Sequence, residues 1–220
     1  MSSKVGTLVV SAWDPEVAPL RRLLRASRRG ARDVALEAIG VGTVDAAVGA
    51  ANAIARLRPR RVIFVGTAGV YPGAARTFTI GAAAVAGELR LVSTATLRGD
   101  AYHPAPLVAT AEATPALRDR LARPGADGAA TPVARVACPL AITHAAALAR
   151  RIAATGAALE NLEAFAVARA ASTARVPFAV VLGVSNVVGP RAHAEWRANH
   201  LAAARAACHL VWSLLRGRAA

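Results

Sequence analysis

Val62-Ile63-Phe64-Val65-Gly66-Thr67-Ala68-Gly69 is the stretch that decides the fold. Four large apolar residues in a row, three of them β-branched, leave no polar face for a half-solvated sheet, so the run reads as a strand covered on both sides. The small residues after it close the strand and offer backbone N–H groups and the Thr67 hydroxyl at its carboxyl edge. The same plan repeats outward along the chain. Strands are expected at Thr7–Ser11, Val34–Ile39, Val62–Val65, Ala82–Ala86, Val133–Ala137 and Phe178–Val184. Alanine-rich helices are expected at Pro15–Ser27, Val44–Leu57, Thr143–Ala154, Leu159–Ala174 and Ala194–Leu215. Arg90–Asp127, rich in Pro, Gly, Thr and Asp, reads as loops with one short helix near Pro115–Leu121. Alternating strands and helices specify an α/β fold of three layers, αβα, with a mixed and mostly parallel central sheet.

The chain is long enough, at 220 residues, to bury one core, and a single domain over 1–220 is expected. Apolar residues make up 55%, yet no run approaches the ~20 needed to cross a bilayer, so no membrane partner is expected. Met1-Ser2-Ser3-Lys4 leads straight into the first strand without the features of a secretory signal, which predicts a cytoplasmic protein. The net charge of +14 would ordinarily suggest a polyanion partner. Here Lys4 is the sole lysine, and the arginines are scattered in short clusters such as Arg21-Arg22, Arg28-Arg29 and Arg58-Pro59-Arg60-Arg61, with few aromatics among them to stack on bases. A solvated basic surface is the preferred reading over nucleic-acid binding. Cys138 and Cys208 lie far apart in apolar patterns, as reduced core thiols do, and predict neither a disulfide nor a metal site.

In an open α/β sheet, ligands bind beyond the carboxyl ends of the strands, so those ends carry the informative residues. The first gives Ala12-Trp13-Asp14-Pro15-Glu16-Val17. Helix capping by Asp14, Pro15 at the first helical position and Glu16 on the helix dipole explain this segment as well as catalysis does. Gly40-Val41-Gly42 opens the second helix but lacks the third glycine of a dinucleotide fingerprint, so no cofactor is expected. Glu160-Asn161-Leu162-Glu163 sets acids and an amide at the start of an otherwise apolar helix. Buried carboxylates are costly unless paired or liganded, so Glu163 either caps its helix or bonds adjacent ribose hydroxyls. Ser185-Asn186 follows the last apolar run, where an asparagine can also be a simple turn residue.

In this order, the segments resemble the purine nucleoside phosphorylase and nucleosidase family over nearly the whole chain. The resemblance implies a homodimer or larger assembly acting on a small purine nucleoside. It implies Glu16 as the base that activates water, and Glu163 as the ribose-hydroxyl acceptor. Ala12, Trp13, Gly66, Thr67, Gly69, Asn161, Leu162 and Ser185 are expected around the substrate, with Leu162 where the family usually has methionine. The phosphorylases of this family place an arginine two residues before the equivalent of Gly66, where this chain has Phe64, so a hydrolase is expected. Asn186 stands where the nucleosidases have an aspartate. An amide suits the two acceptors N7 and O6 of a 6-oxopurine. Futalosine hydrolase, of the menaquinone pathway, has a serine–asparagine–x–valine–glycine–x–arginine segment with a following tryptophan. Ser185-Asn186-Val187-Val188-Gly189-Pro190-Arg191 and Trp196 resemble it, with Ala192 in place of its usual acid. The expectation is therefore hydrolysis of a nucleoside such as futalosine, releasing hypoxanthine. The alternatives are a methylthioadenosine or adenosylhomocysteine nucleosidase, a phosphorylase, and a catalytically silent nucleoside-binding protein. Arg191, His193 and His103 are candidates for the rim that meets the 5′ substituent.

Overall fold

The computed structural model describes residues 5–27, 33–124 and 129–217. The leader Met1–Lys4, the Arg28-Arg29 pair and the end of the loop region at Asp127 lie outside them. The elements run β1 (Thr7–Ser11), α1 (Asp14–Ala26), β2 (Val34–Ala38), α2 (Thr43–Leu57), β3 (Val62–Val70), β4 (Ala83–Val92), α3 (Thr94–Arg98) and β5 (Thr110–Glu112). They continue with α4 (Pro115–Ala122), β6 (Val133–Pro139), α5 (Ala146–Ala153), β7 (Leu159–Glu160), α6 (Ala164–Thr173), β8 (Phe178–Val187) and α7 (Ala192–Arg216). One α/β sheet results, ordered β2-β1-β3-β7-β6-β4-β5, with β8 paired to both β3 and β4.

The pairing is mixed and mostly parallel. β1 runs parallel to β2 and β3, β3 to β8, and β6 to β4 and β7, whereas β3–β7, β4–β5 and β4–β8 are antiparallel. Because β3, β8, β4, β6 and β7 pair in a ring, the sheet curls on itself and gathers the ends of β3, β7 and β8. Every residue of β3 is buried, as its unbroken apolar run demands. Helices α2 and α6 cover one face with Ala46, Ala50, Ala53, Ile54, Ala164, Val167 and Ala168. Helices α1, α4 and α7 cover the other with Val17, Leu20, Leu24, Leu117, Leu121, Val211 and Leu215. Among the described residues, no helix is long and apolar enough to cross a membrane. Cys138 and Cys208 are buried free thiols, and burial pushes both up to about 12.

Several element boundaries differ from those expected. Gly66-Thr67-Ala68-Gly69 does not close β3; it is the second half of the strand, held by β8 on one side and, at Gly69, by β7 on the other. Residues 159–163 are not helical: Leu159 and Glu160 pair with β3, and α6 begins at Ala164. The region 90–127 contains the end of β4, helix α3 and strand β5 as well as the expected short helix. In β8 the register shifts against β3, so that Ala68 faces Val184 while Gly69 faces Asn186. One extra residue on β8 is the signature of a bulge, and it breaks the alternation of a regular strand. Ser185 and Asn186, adjacent in sequence, both reach the same cavity.

Candidate active site

A cavity of about 380 Å³ opens where β1, β3, β7 and β8 end. Its size suits a nucleoside-sized ligand. Ten of the eleven residues expected at a site line it. Ala12, Trp13 and Glu16 come from the β1–α1 junction, and Thr67 and Gly69 from β3. Asn161, Leu162 and Glu163 come from the β7–α6 junction, and Ser185 and Asn186 from β8. Gly66 is not part of the lining. It lies inside β3, where a side-chain carbon would meet the Phe64 ring at 3.0 Å and approach Asn161 Nδ2 at 3.6 Å. Asp14 is also not the N-cap of α1. That position is Trp13, and the exposed Asp14 carboxylate instead takes two bonds from the Arg21 guanidinium, which hold it below its usual range.

Glu16 points the opposite way. Its Oε1 accepts from the Thr67 N–H at 2.9 Å and the Thr67 hydroxyl at 2.8 Å. Burial pushes its pKa up to about 7, against the lowering by the Thr67 bonds and with a further push from the Glu163 charge. Both Thr67 bonds go to Oε1, and the Trp13 backbone N–H also favours the charged carboxylate. Thr67 is itself fixed from two sides: Trp196 Nε1 donates to its hydroxyl at 3.3 Å, and Asn161 Nδ2 donates to its carbonyl at 3.0 Å.

At the other junction Asn161 does the capping. Its Oδ1 accepts from the Glu163 and Ala164 N–H groups at 3.0 and 2.8 Å, satisfying the orphan donors that open α6. The Glu163 carboxylate is thereby released toward the cavity, where Oε1 accepts from the Gly42 N–H at 2.9 Å. Gly42 makes that bond from φ +87°, a left-handed conformation open to glycine, as it caps α2. Burial raises the Glu163 pKa, and the Gly42 bond opposes it.

Asn186 Oδ1 lies 2.8 Å from the Ser185 hydroxyl, and its Nδ2 donates to the Val187 carbonyl at 3.3 Å. The bulged strand end is braced by α7. Glu195 accepts from the Val187 N–H at 2.8 Å, and Asn199 donates to the Ser185 carbonyl at 3.1 Å.

The model of the Phosphorylase superfamily matches residues 15–216, which takes in every polar side chain just described except Asp14. The chain belongs to this superfamily. No curated protein matches it by sequence. Among solved structures, a 5′-methylthioadenosine/S-adenosylhomocysteine nucleosidase from Neisseria meningitidis in complex with methylthio-immucillin-A shares 20% identity at a TM-score of 0.83, covering 97% of this chain and 99% of that one. Futalosine hydrolase of Helicobacter pylori is 15% identical at a TM-score of 0.84, covering 97% and 98%. A methylthioadenosine/adenosylhomocysteine nucleosidase from Colwellia psychrerythraea in complex with adenine is 19% identical at 0.81, covering 97% and 96%. At such identities the likeness establishes the fold.

This superfamily member has lining residues that the sequence reading did not name as site residues: Val41, Ala68, Ile142, Glu160, Ala192 and Trp196. Trp196 had a readable signal, because His193, Trp196 and His200 recur at helical spacing. Their rings stack, with centroids 5.9 and 4.5 Å apart, and Trp13 leans on them from β1–α1. Of the rim candidates, His193 lines the cavity, Arg191 is exposed beside Glu195 at 3.4 Å, and His103 is not part of the lining. Among the described residues, no cluster of three or more His, Cys, Asp or Glu could hold a metal ion.

Proposed function

We propose that the protein hydrolyses the N-glycosidic bond of a purine nucleoside, with Glu16 as the base that activates water. The observation that carries this reading is the Glu16 carboxylate. It is buried at the cavity wall and held by Thr67, and its pKa of about 7 suits proton transfer near neutrality. Glu163 faces the same cavity, positioned to accept from ribose hydroxyls. Its charge gains most as positive charge develops on the sugar, which is the condition for lowering a barrier rather than merely binding.

Water is the nucleophile this cavity suits. Among the described residues its lining holds no arginine or lysine, and Phe64 is sealed in the core. A phosphate dianion would find no guanidinium or ammonium group in this lining to neutralise it. The base is assigned through Asn186, whose second amide N–H is available to N7 or O6 of a 6-oxopurine such as the hypoxanthine of futalosine. The Trp13, His193 and Trp196 rings at the mouth support stacking on a planar 5′ substituent. A methylthioadenosine or adenosylhomocysteine nucleosidase is the second reading, favoured by the exposed apolar Val41 and Ile142 at the same mouth, which suit a short alkylthio group.

Incubation with futalosine, inosine and methylthioadenosine, with and without phosphate, followed by chromatography of the released base, tests this. Phosphate-independent release of hypoxanthine is expected, and Asn186→Asp should shift kcat/KM toward 6-aminopurine nucleosides by roughly ten- to a hundredfold. Preference of the unaltered protein for methylthioadenosine promotes the second reading. Release that requires phosphate, or no release at all, overturns the hydrolase.

A further inference from the structure

Glu160 has no part in the chemistry proposed above, yet it is buried, acidic and on the cavity wall. We infer that its carboxylate accepts the ring N1–H of a 6-oxopurine, so that Glu160 and Asn186 together read the base as a lactam. This rests on the purine nucleosidase reading and extends it to a residue which that reading leaves idle.

The argument begins with register. Gly69 of β3 faces Glu160 on β7 and Asn186 on β8, so the three residues lie side by side across adjacent strands. Strands are spaced ~4.8 Å apart, which places the acid and the amide about 10 Å apart, backbone to backbone, on either side of a residue without a side chain. All three line the cavity. A carbon on Gly69 would come within 2.9 Å of Asn186 Nδ2 and 2.8 Å of the Val188 side chain. The glycine therefore keeps a slot open between an acceptor and a donor, wide enough for the edge of a flat ring.

Glu160 is held ready for this task. Its Oε2 accepts from the buried Tyr71 hydroxyl at 2.7 Å, and its Oε1 accepts from the Thr143 N–H at 2.9 Å. A carboxylate oxygen has two lone pairs, so each retains one for a ligand, and an ionised carboxylate can only accept. A 6-oxopurine presents a hydrogen on N1 and an acceptor at O6. A 6-aminopurine presents a bare lone pair on N1 and a donor on its six-position nitrogen. Facing Glu160, the first makes a charge-assisted bond and the second sets lone pair against lone pair. Glu160 thus selects in the same direction as Asn186, from the opposite side of the slot. The competing role is purely structural: the acid would staple Tyr71 and the segment at Thr143 to β7 and touch no ligand.

Calorimetric binding of hypoxanthine, 1-methylhypoxanthine and adenine to the full-length protein separates the two roles without requiring turnover. The unaltered protein should bind hypoxanthine about ten- to a hundredfold tighter than its N1-methyl form. In Glu160→Gln the amide can turn an N–H toward N1 of adenine, so the hypoxanthine-to-adenine affinity ratio should fall at least tenfold. A variant that weakens both bases equally, N1-methylation without effect, or no binding of hypoxanthine overturns the inference. The methylation comparison stands even if the variant does not fold. Base release from nucleosides with an unmoved ratio removes Glu160 alone, whereas the expected ratios without any base release remove the hydrolase reading and leave Glu160 in place.

Discussion

Two strand-to-helix junctions in this molecule carry the same local pattern, a polar residue followed two positions later by a glutamate, and use it in opposite ways. At Asp14-Pro15-Glu16 the first residue turns outward to Arg21 and caps nothing, while the glutamate turns inward and meets donors on another strand. At Asn161-Leu162-Glu163 the first residue caps its own helix and also ties down Thr67, so the glutamate is freed from local duty. The consequence is electrostatic. Asp14, in water beside a guanidinium, is held low, whereas Glu16, two residues away, is pushed up to about 7 by burial. Position in the chain does not set acidity; the tertiary surroundings do.

The sharpest way to break the comparison is to neutralise the inward acid of the first junction. Glu16→Gln should lower kcat by about 10² or more while circular dichroism shows an intact fold. Near-normal turnover would reduce Glu16 to a helix-terminus charge. The second junction should respond less strongly. Glu163→Gln should lower kcat/KM by roughly ten- to a hundredfold, and 2′-deoxy substrates should be poor for the unaltered protein but little worse for the variant. Equal cleavage of deoxy and ribo forms by the unaltered protein would deny Glu163 its sugar contact.

The tuning of Glu16 is a smaller effect. The base must be ionised, so kcat/KM should rise with pH, about tenfold per unit, and level off above about 7. Thr67→Val removes the hydroxyl bond that holds the Glu16 pKa down against burial, so this limb should move to higher pH. An unmoved limb would show that Thr67 does not act on Glu16. The same shift bears on stability. The folded protein binds this proton more tightly than the unfolded chain between the ordinary value of 4.5 and about 7, so Glu16 contributes a loss of stability as pH rises through that window. Smallest of all is Asp14→Asn: an exposed pair with Arg21 should be worth within about 0.5 kcal/mol in thermal unfolding, with activity unchanged. A large loss of activity would mean that the outward acid matters after all.

The contrast also explains what the sequence could and could not reveal. Strands such as Phe178–Val184 and helices such as Val44–Leu57 announce themselves through unbroken apolar runs and alanine-rich periodicity, although β8 runs on through Ser185 and Asn186 to Val187. The second half of β3 does not, because Gly66, Ala68 and Gly69 look like a turn until one sees that β7 and β8 pack against a backbone that must lack bulk there. The end of β4 is hidden in the sequence, because Glu88 and Arg90 interrupt its apolar run. They are tolerated because they pair with each other at 2.8 Å, while Arg135 of the neighbouring strand reaches Glu88 at 3.1 Å. Strand β7 is two residues long and has no period to detect. Glu160 was visible only as one acid among several, since its partners Tyr71 and Thr143 are 89 and 17 residues distant. Gly66 shows the converse: it is a small residue next to the lining residue Thr67, and its lack of a side chain makes room for the Phe64 ring.

The extra residue on β8 has a consequence for how this protein can vary. A regular strand deals its side chains alternately to two faces, so each position answers to one constituency, core or ligand. The irregularity opposite Ala68 and Gly69 suspends that rule for one step, and the dipeptide Ser185-Asn186 becomes a single recognition unit with one shared hydrogen bond. Residues coupled in this way do not change independently: a substitution at either alters what the other can offer. On the proposed function, the choice of purine would rest on this pair together, within a strand whose other residues are largely buried.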